Sequence, residues 1–370
     1  MKPDLIYQVA LTLIPGVGPL IAKALTEHLG SAEQVINSSS KDVEEIPGAR
    51  KALWKSIAEN KDEALKRAET ELVFLQKHNI QALFYQDDAY PPRLKQCDDS
   101  PYLLYYKGKA KLDAGKTIAI VGSRKCTEYG RSVTNKLIQD LKDYNILVIS
   151  GLALGIDIEA HRACLENNLD TVGVLGHGLD RIYPSAHRDT AEKMVERGGL
   201  LTEFLSGTNP DRENFPKRNR IVAGLCDATI VIESGEKGGS LISADIAHSY
   251  GREVFAYPGR TIDKYSLGCN YLIKGQKAIM IENAEDLIKQ MGWGEGKKEK
   301  QLKMHMNLFS DPEQKILGFI AEANGIHVDT LSSLSELPLP VLKNHLFQLE
   351  MRGIIQTLPG SRIQLVELVF

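Results

Sequence analysis

Three features are scarce in this sequence, and each scarcity narrows what the protein can be. Cysteine occurs five times, an odd number without a C-x-x-C pair, so neither a disulfide framework nor a zinc site is predicted and a reducing compartment is favoured. No apolar run approaches the ~18 residues of a membrane-spanning helix and no signal peptide is evident, so we expect a cytoplasmic protein without a membrane partner. Excess positive charge is also lacking, because 45 Lys and Arg face 48 Asp and Glu. Any polyanion must therefore be held by a local cluster of cations.

The middle of the chain alternates short apolar runs with helical stretches. The runs are rich in Val and Ile and apolar at nearly every position, which is typical of strands buried on both faces of a sheet. Their alternation with helices predicts an α/β fold with a doubly wound, mostly parallel sheet. The predicted strands are residues 117–121, 146–149, 171–175, 200–204, 229–233, 253–257 and 278–281. The predicted helices are residues 131–143, 156–167, 188–197, 218–225 and 242–250.

Two Gly turns near the amino terminus share one local pattern. Residues 14–18 and 46–50 each contain Pro-Gly, and helix-forming stretches follow at 20–29 and 51–58. This repeat predicts a helix-hairpin-helix, or SAM-like, module over residues 1–75. Gly turns of this kind can present N–H groups to phosphate, but the module has no net positive charge, so packing or partner binding is the main interpretation. A further helix and a strand are predicted at residues 61–78 and 82–85.

The carboxy-terminal part is predicted to form a small module of its own. The α/β domain is expected to span residues 76–293, and the charged, Gly-containing residues 294–310 are predicted to be a linker. Residues 311–370 show three helical stretches followed by a β-ribbon, which is the order of a winged helix. This module carries four Lys and Arg against seven Asp and Glu, a net charge of −3. We therefore expect it to bind nucleic acid weakly or to serve protein contacts.

Gly turns follow almost every predicted strand of the α/β domain. Ligands of open parallel sheets bind beyond the carboxyl ends of the strands, where Gly lets the backbone approach and helix N-termini offer free N–H groups. The pattern predicts a site for phosphate or another anion, with tight βα turns as the alternative. Arg124 adds a cation suited to phosphate, unless it pairs with a carboxylate. The candidate residues in these turns are Gly122, Ser123, Arg124, Ser150, Gly151, Gly239 and Ser240.

A short segment concentrates positive charge at a predicted helix start. Lys217, Arg218 and Arg220 lie within four residues, just after Phe215. Cations at a helix N-terminus oppose its dipole, so their presence indicates an anionic ligand. A base stacked on Phe215 would gain roughly 1–3 kcal/mol. The alternative is a core Phe beside a solvated basic turn. Asn214 and Asn219 complete the candidate residues of this segment.

The sequence contains no complete enzyme signature. A P-loop and a dinucleotide fingerprint are both absent. Asp157 and His161 lie at positions i and i+4 of one predicted helix, but no third metal ligand or nucleophile accompanies them, and we expect both to support the loop at residues 150–155. The sequence therefore predicts no catalytic residue, no metal site and no cofactor.

In this order, the motifs resemble the DprA/Smf DNA-processing family. The resemblance is strong over residues 80–292 and extends in layout to both flanking modules. The stretch at residues 274–278 departs from the short Gly-Ala step usual in the family. The matching stretches are residues 122–124, 150–161, 214–221, 239–244, 258–259 and 268–273.

The resemblance implies a fold, a function and site residues. It implies an extended Rossmann-like domain that forms homodimers, binds and protects incoming single-stranded DNA, and delivers it to the RecA recombinase during natural transformation. In the family the Arg of the first turn contacts phosphate, which here is Arg124. The family's Phe–Arg–Asn segment lines the DNA pocket. The corresponding residues here are Phe215, Lys217, Arg218 and Arg220, and Lys237 is a further candidate of our own.

Two other functions use a related fold. Nucleoside-monophosphate phosphoribohydrolases carry a Gly-Gly-x-Gly-Thr-x-x-Glu signature, and residues 238–243 lack its second Gly-Thr and its Glu. A nucleotide sensor without catalysis would use the same Gly-rich edge. Both alternatives stay open at the level of sequence.

Overall fold

The computed structural model describes residues 4–40, 42, 51–294, 309–323 and 325–366. By internal contacts the chain divides into two units, residues 1–250 with 254–281 and residues 251–253 with 282–370. In the described part, no helix combines the length and the apolar character needed to cross a membrane.

The first unit begins with helices. Ile14 is buried and Gly16 adopts a φ of 84° in the turn between the first two helices, so the predicted turn at residues 14–18 is confirmed. Pro19 occupies the first turn of the second helix, where its missing N–H costs nothing. The second predicted turn, residues 46–50, lies outside the described residues. The helices are α1 (Leu5–Leu13), α2 (Pro19–Leu29), α3 (Ala32–Ile36) and α4 (Lys51–Lys77).

Helix α4 corrects a prediction. The sequence was expected to form separate helices at residues 51–58 and 61–78, but the structure has one helix of 27 residues. No Gly or Pro interrupts residues 59–61, so nothing stops the helix there. Near its end, Arg67 donates to the Ser206 carbonyl, while the buried Glu71 carboxylate accepts from the Ser206 N–H at 3.0 Å. The long helix is thereby tied to a loop of the α/β domain.

A nine-stranded sheet forms the centre of the first unit. Its strands follow the order β1-β2-β6-β5-β4-β3-β7-β8-β9, so β1 and β2 lie at one edge, and from the central β3 the chain winds outward first in one direction and then in the other. Strands β3 to β7 pair in parallel with one another, as do β8 and β9, whereas β1 pairs antiparallel with β2 and β2 pairs antiparallel with β6. The predicted doubly wound, mostly parallel sheet is therefore confirmed. The strands are β1 (Gln81–Phe84), β2 (Leu103–Gly108), β3 (Lys116–Val121), β4 (Ile146–Ser150), β5 (Thr171–Val174), β6 (Gly199–Thr202), β7 (Ala228–Val231), β8 (Glu253–Ala256) and β9 (Ile279–Met280).

Helices connect the strands and cover the sheet. Three of these helices begin earlier than expected, and the largest difference is in the helix predicted at residues 218–225, which begins at Asn214. Pro216 is tolerated there because it lies in the first turn. Phe215 and the basic residues after it are therefore helical. The helices are α5 (Pro92–Lys95), α6 (Glu128–Leu141), α7 (Ile156–Glu166), α8 (Arg188–Arg197), α9 (Asn214–Gly224), α10 (Gly239–Ser249) and α11 (Leu267–Lys274).

The second unit contains the predicted winged helix. Three helices pack on a sheet ordered β10-β12-β11 around a core that includes Leu317, Leu331 and Leu342. Ser310 and Glu313 form a reciprocal capping box at the first of these helices. The unit comprises α12 (Ala284–Gln290), α13 (Asp311–Glu322), β10 (Ile326–His327), α14 (Val328–Ser335), α15 (Leu339–Met351), β11 (Ile355–Leu358) and β12 (Arg362–Leu365).

A buried ion pair fixes the start of the two central strands. Arg93 Nε donates to Asp227 Oδ1 at 2.7 Å, and its other nitrogens donate to the carbonyls of Ala114 and Gly115. Asp227 Oδ2 accepts from the backbone N–H of Thr117 at 2.9 Å. Because Asp227 precedes β7 and Thr117 lies in β3, this carboxylate links the amino-terminal ends of both strands.

We expect Asp227→Ala to lower the free energy of unfolding by about 3–5 kcal/mol, since it leaves a buried guanidinium unpaired. Asp140→Ala is the matched control, because it breaks an exposed pair with Lys136 at 2.8 Å and is expected to cost no more than about 0.5 kcal/mol. Urea unfolding of both variants measures the difference, and equal costs would show that the buried pair has no special role.

Candidate nucleic-acid interface

The strand order reverses between β3 and β7. Strand β4 follows β3 on one side and β7 lies on the other, so the loops after β3 and β7 meet at the carboxyl edge of the sheet. The Ser123 N–H donates to the Glu233 carbonyl at 2.8 Å across this point. Such switch points are where doubly wound sheets hold ligands.

A cleft of about 630 Å³ opens at the switch point. Its walls come from the loops after β3, β4 and β7, the first turn of α9 and a segment before α11. Predicted and unpredicted residues both line it. The predicted ones are Gly122, Ser123, Arg124, Phe215, Arg218, Asn219, Lys237, Gly239 and Ser240.

Arg124 and Phe215 meet at the mouth of this cleft. The guanidinium carbon of the exposed Arg124 lies 5.3 Å from the centroid of the half-buried Phe215 ring, a cation–π distance. Among the described residues no carboxylate pairs with Arg124, so the alternative of a surface ion pair is not observed. A cation and an aromatic face are thus presented together, as a nucleotide requires.

Gly155 brings the loop after β4 against the loop after β3. Its φ of 81° is in the left-handed region, and a Cβ at this position would lie 2.1 Å from the Ser123 carbonyl oxygen. The next residue, Ile156, donates its N–H to that same carbonyl at 3.2 Å. Only glycine permits this approach, which holds the Arg124 turn in place.

Arg218 is buried beneath the cleft. Its side chain is packed against Gly151 so closely that a Cβ on that residue would lie 1.3 Å from Nη1. Asp157 Oδ2 stands 3.9 Å from Nη1 and accepts from the N–H groups of Gly151 and Ala153. Burial raises the pKa of the Asp157 carboxyl, and the Arg218 guanidinium opposes that shift. The predicted support of this loop by Asp157 is confirmed.

The prediction for His161 is not confirmed. Its Nδ1 lies 2.7 Å from the Thr171 hydroxyl, in β5, and within the described residues no hydrogen bond joins it to the loop at residues 150–155. Because the Thr171 hydroxyl donates to the Val148 carbonyl, the imidazole Nδ1 is the donor to Thr171. Burial, followed by the nearby Arg218 guanidinium, lowers the pKa of His161 to about 3. The residue is therefore a neutral core histidine.

Two helix N-termini at the switch point differ in how they are capped. Helix α6 is capped by Thr127, whose N–H donates to the buried Glu233 carboxylate at 3.0 Å, so its positive end is already neutralised. Helix α10 starts after Gly238 with no side-chain cap. The hydroxyl of Ser240 donates to Ser234 at 2.9 Å rather than to a backbone group. The open end of α10 therefore offers N–H groups to an anion in the cleft.

The cleft also contains residues that sequence reasoning missed. Lys264 and Tyr265 form part of the wall, next to the exposed Lys237. The carbonyl of Tyr265 accepts from Ser234 N–H at 2.7 Å, which joins this wall to the loop after β7. Glu236 is the one exposed carboxylate among the described lining residues. A Lys-Tyr pair after a Gly turn was the available signal.

Five predicted site residues do not line this cleft. Ser150 is buried and donates to the Ile120 carbonyl, and Asn214 donates to the Asn209 carbonyl. Gly151 lines a smaller neighbouring cavity, and Lys217 is exposed on the first turn of α9. Arg220 forms an ion pair with Glu203, with both side chains largely buried. Whether these residues contact a ligand stays a prediction.

Comparison with known proteins identifies the family. Residues 81–292 match the model for DNA recombination-mediator protein A, and residues 308–361 match that for the DprA winged helix domain. The chain is 31% identical to Protein Smf of Synechocystis sp. over 97% of this chain and 98% of the relative. The chain belongs to the DNA recombination-mediator protein A family. The predicted membership is therefore confirmed.

Two solved structures of this family resemble the chain. The X-ray structure of DNA processing protein A from Streptococcus pneumoniae has a TM-score of 0.66 and 32% identity, covering 77% of this chain and 97% of that one. The structure from Helicobacter pylori has a TM-score of 0.52 and 30% identity, covering 57% of this chain and 94% of that one. The latter was described for the single-stranded DNA binding mode of the Helicobacter protein.

Gly151→Ala is expected to lower the free energy of unfolding by about 1–3 kcal/mol, because its Cβ would displace the buried Arg218 guanidinium. Gly239→Ala is the control, since a Cβ there meets nothing within 4 Å and is expected to be neutral or to stabilise by up to about 1 kcal/mol. Urea unfolding compares the two variants. Equal effects would mean that Arg218 does not depend on the space above Gly151.

Acidification is expected to destabilise the protein through His161. Its pKa is lowered on folding, so its contribution is fully present above its unfolded pKa of about 6.5 and is lost as pH falls from there toward 3. Between pH 6.5 and pH 5 the loss amounts to about 2 kcal/mol. In His161→Asn the side-chain amide keeps a donor near the position of Nδ1 but cannot titrate. Urea unfolding at pH 7 and pH 5 should therefore show a smaller loss of stability for this variant than for the wild type. The same loss in both proteins would contradict this assignment.

Proposed function

We propose that this chain binds single-stranded DNA in the switch-point cleft and acts without catalysing a reaction. The observation that carries the proposal is the placement of Arg124 over Phe215 at the mouth of a cleft into which helix α10 opens uncapped. The family membership and the Helicobacter pylori structure, described for single-stranded DNA binding by that protein, support it.

The cleft has the chemical groups that a single strand needs. Arg124, Lys237 and Lys264 place positive charge on its walls, and the N–H groups of α10 add the positive end of a helix dipole. Phosphates are attracted to these groups, while Phe215 offers a face to a base regardless of its identity. Local focusing of this kind allows a protein with a net charge of −3 to hold a polyanion.

We infer that the bound strand is protected and passed to the RecA recombinase during natural transformation. The family name, DNA recombination-mediator protein A, supports this role. In this scheme residues 76–293 bind DNA, residues 1–75 serve packing or partner contacts, and residues 294–310 link them to the winged helix of residues 311–370. RecA-dependent strand exchange with and without the protein tests delivery, and unchanged exchange would contradict it.

The winged helix is proposed to contact protein more than DNA. Two of its four cations are used inside the module, because Lys315 lies 3.8 Å from the Glu336 carboxylate and Arg352 lies 3.0 Å from that of Glu313. The helix that would enter a DNA groove, α15, exposes Phe347. An exposed apolar side chain on this helix, with half of the module's cations paired internally, suits a protein surface better than a phosphate backbone.

A homodimer is proposed to form through the β9 edge of the sheet. Strand β9 ends the strand order, and its Ile279 and Met280 are both exposed, as is Tyr271 on the adjoining helix α11. Exposed apolar side chains beside an open strand edge are typical of association surfaces. Met280→Asp is expected to shift the protein to monomer in light scattering, and an unchanged mass would contradict this interface.

Binding of labelled oligo-dT, followed by fluorescence anisotropy over a salt series, tests the proposed function. Affinity should fall steeply with salt, and Arg124→Ala should weaken binding at least tenfold because a phosphate contact is lost. Lys217→Ala tests in the same way whether this exposed cation, outside the cleft, reaches the strand. Lys136→Ala removes the same charge from an exposed site on α6 and serves as the control.

The competing functions predict different outcomes. Wild-type affinity in both Arg124→Ala and Lys237→Ala would overturn the cleft as the DNA-binding site, and absence of oligonucleotide binding by the wild type would overturn DNA binding itself. Binding of free nucleotide without binding of oligonucleotide would favour a nucleotide sensor, and release of base from a nucleoside monophosphate would favour a phosphoribohydrolase.

A further inference from the structure

An apolar groove lies beside strand β1, and among the described residues its lining shares none with the switch-point cleft. The groove has a volume of about 610 Å³, which is within the range of ligand-binding pockets. Its floor is formed by apolar side chains from α1, α4, β1 and the residue before β1, and each of them is no more than 9% exposed. These are Leu5, Leu75, Ile80 and Leu83. We refer to this space as the β1 groove.

Strand β1 has an open edge beside this groove. It ends the strand order of the sheet, and in the described part of the chain only β2 pairs with it. The N–H of Tyr85 donates to the carbonyl of Tyr102 opposite it at 3.2 Å, and hydrogen-bonded pairs alternate along an antiparallel ladder. The backbone N–H and carbonyl groups of Ala82 and Phe84 therefore point away from β2.

Of these two residues, Ala82 is the one that can pair with a further strand. The outward groups of Phe84 are used locally, because its N–H donates to Asp87 Oδ2 at 3.1 Å and its carbonyl accepts from the Asp87 N–H at 2.8 Å. Ala82 lines the β1 groove, and within the described residues nothing pairs with its outward N–H and carbonyl. An unpaired strand edge of this kind is a template for an added strand.

The rim of the β1 groove is acidic. Asp87 and Asp88 supply carboxylates, and no Lys, Arg or His is found among the described lining residues. Asp88 is exposed, so its charge is available to a ligand. A rim with carboxylates and without cations repels a polyanion and attracts a cation. Nucleic acid is therefore a poor ligand for this groove, and a segment with basic side chains is a good one.

We propose that the β1 groove binds an extended, basic segment of another protein, which adds a strand to β1. The backbone of the segment exchanges two hydrogen bonds with Ala82, its alternate apolar side chains cover the floor, and a Lys or Arg faces Asp88. A second copy of this chain suits the groove less well. In a two-fold contact the acidic rims of both chains would meet at one interface, where like charges repel.

The first test uses the full-length wild-type protein and labelled peptides of about seven residues, the length of an ordinary strand. In one set Lys or Arg alternates with Val, Leu or Ile, and in a matched set Glu replaces the basic residue. By fluorescence anisotropy, basic peptides should bind about threefold to tenfold more tightly than acidic ones, and the difference should shrink with added salt. Backbone N-methylation of the tightest basic peptide should weaken it at least threefold, because the strand hydrogen bonds are lost.

Two variants locate the binding site. Ala82→Pro removes an N–H that β2 does not use, at an edge where proline is tolerated, and should weaken the basic peptide about threefold to tenfold. Its control, Ala82→Ser, keeps that N–H and should bind normally. Asp88→Lys should abolish the preference for basic over acidic peptides. Asp143→Lys makes the same change at an exposed position after α6 and should preserve it.

The possible outcomes separate this proposal from DNA binding. Oligo-dT affinity should be unchanged in all four variants, because the β1 groove and the switch-point cleft have no lining residue in common among those described. Equal affinity for basic and acidic peptides, or binding of neither, would overturn the β1 groove and leave the proposed function intact. A lower mass of Ala82→Pro than of the wild type in light scattering would assign the groove to a second copy and would also overturn the proposal. The N-methylated peptide keeps the test decisive if Ala82→Pro fails to fold, since it needs only the wild-type protein.

Discussion

The burial of Arg218 is the constraint on which the whole ligand-binding edge depends. Arg218 is only 4% exposed, so its guanidinium must be neutralised, and Asp157 does this from the first turn of α7. The same carboxylate accepts hydrogen bonds from the Gly151 and Ala153 N–H groups. One ion pair therefore joins helix α9 to the loop after β4. Since Phe215 lies three residues before Arg218, its position at the mouth of the cleft follows from that pair.

The same arrangement shows how few charges a polyanion site needs. Arg218 gives the floor of the cleft a positive character, but its charge is largely spent on Asp157. The charges left for a ligand stand on the walls, at Arg124 and Lys237, where water and phosphate can reach them. The buried cation thus fixes the shape of the cleft, while the exposed cations attract the phosphates of a ligand. This division explains how binding can coexist with an acidic chain.

Sequence reasoning could predict what depends on local pattern. The apolar runs predicted the strands β3 to β9 and hence the switch point, and the Gly turns predicted part of the cleft lining. It missed β2, whose Tyr105 and Tyr106 are buried by tertiary packing. Arg220 could not be separated from Arg218 by sequence, because its ion pair with Glu203 joins positions 17 residues apart along the chain. Long-range pairing of this kind has no local signature.

The contact of helix α4 with the α/β domain has a mechanical consequence. At 27 residues this helix is about 40 Å long. Arg67 and Glu71 both form hydrogen bonds with the backbone of Ser206, in the loop after β6. Glu71 is buried and Arg67 binds the same residue, so releasing the helix would break these hydrogen bonds together. We therefore expect the amino-terminal helices and the sheet to melt in one cooperative transition.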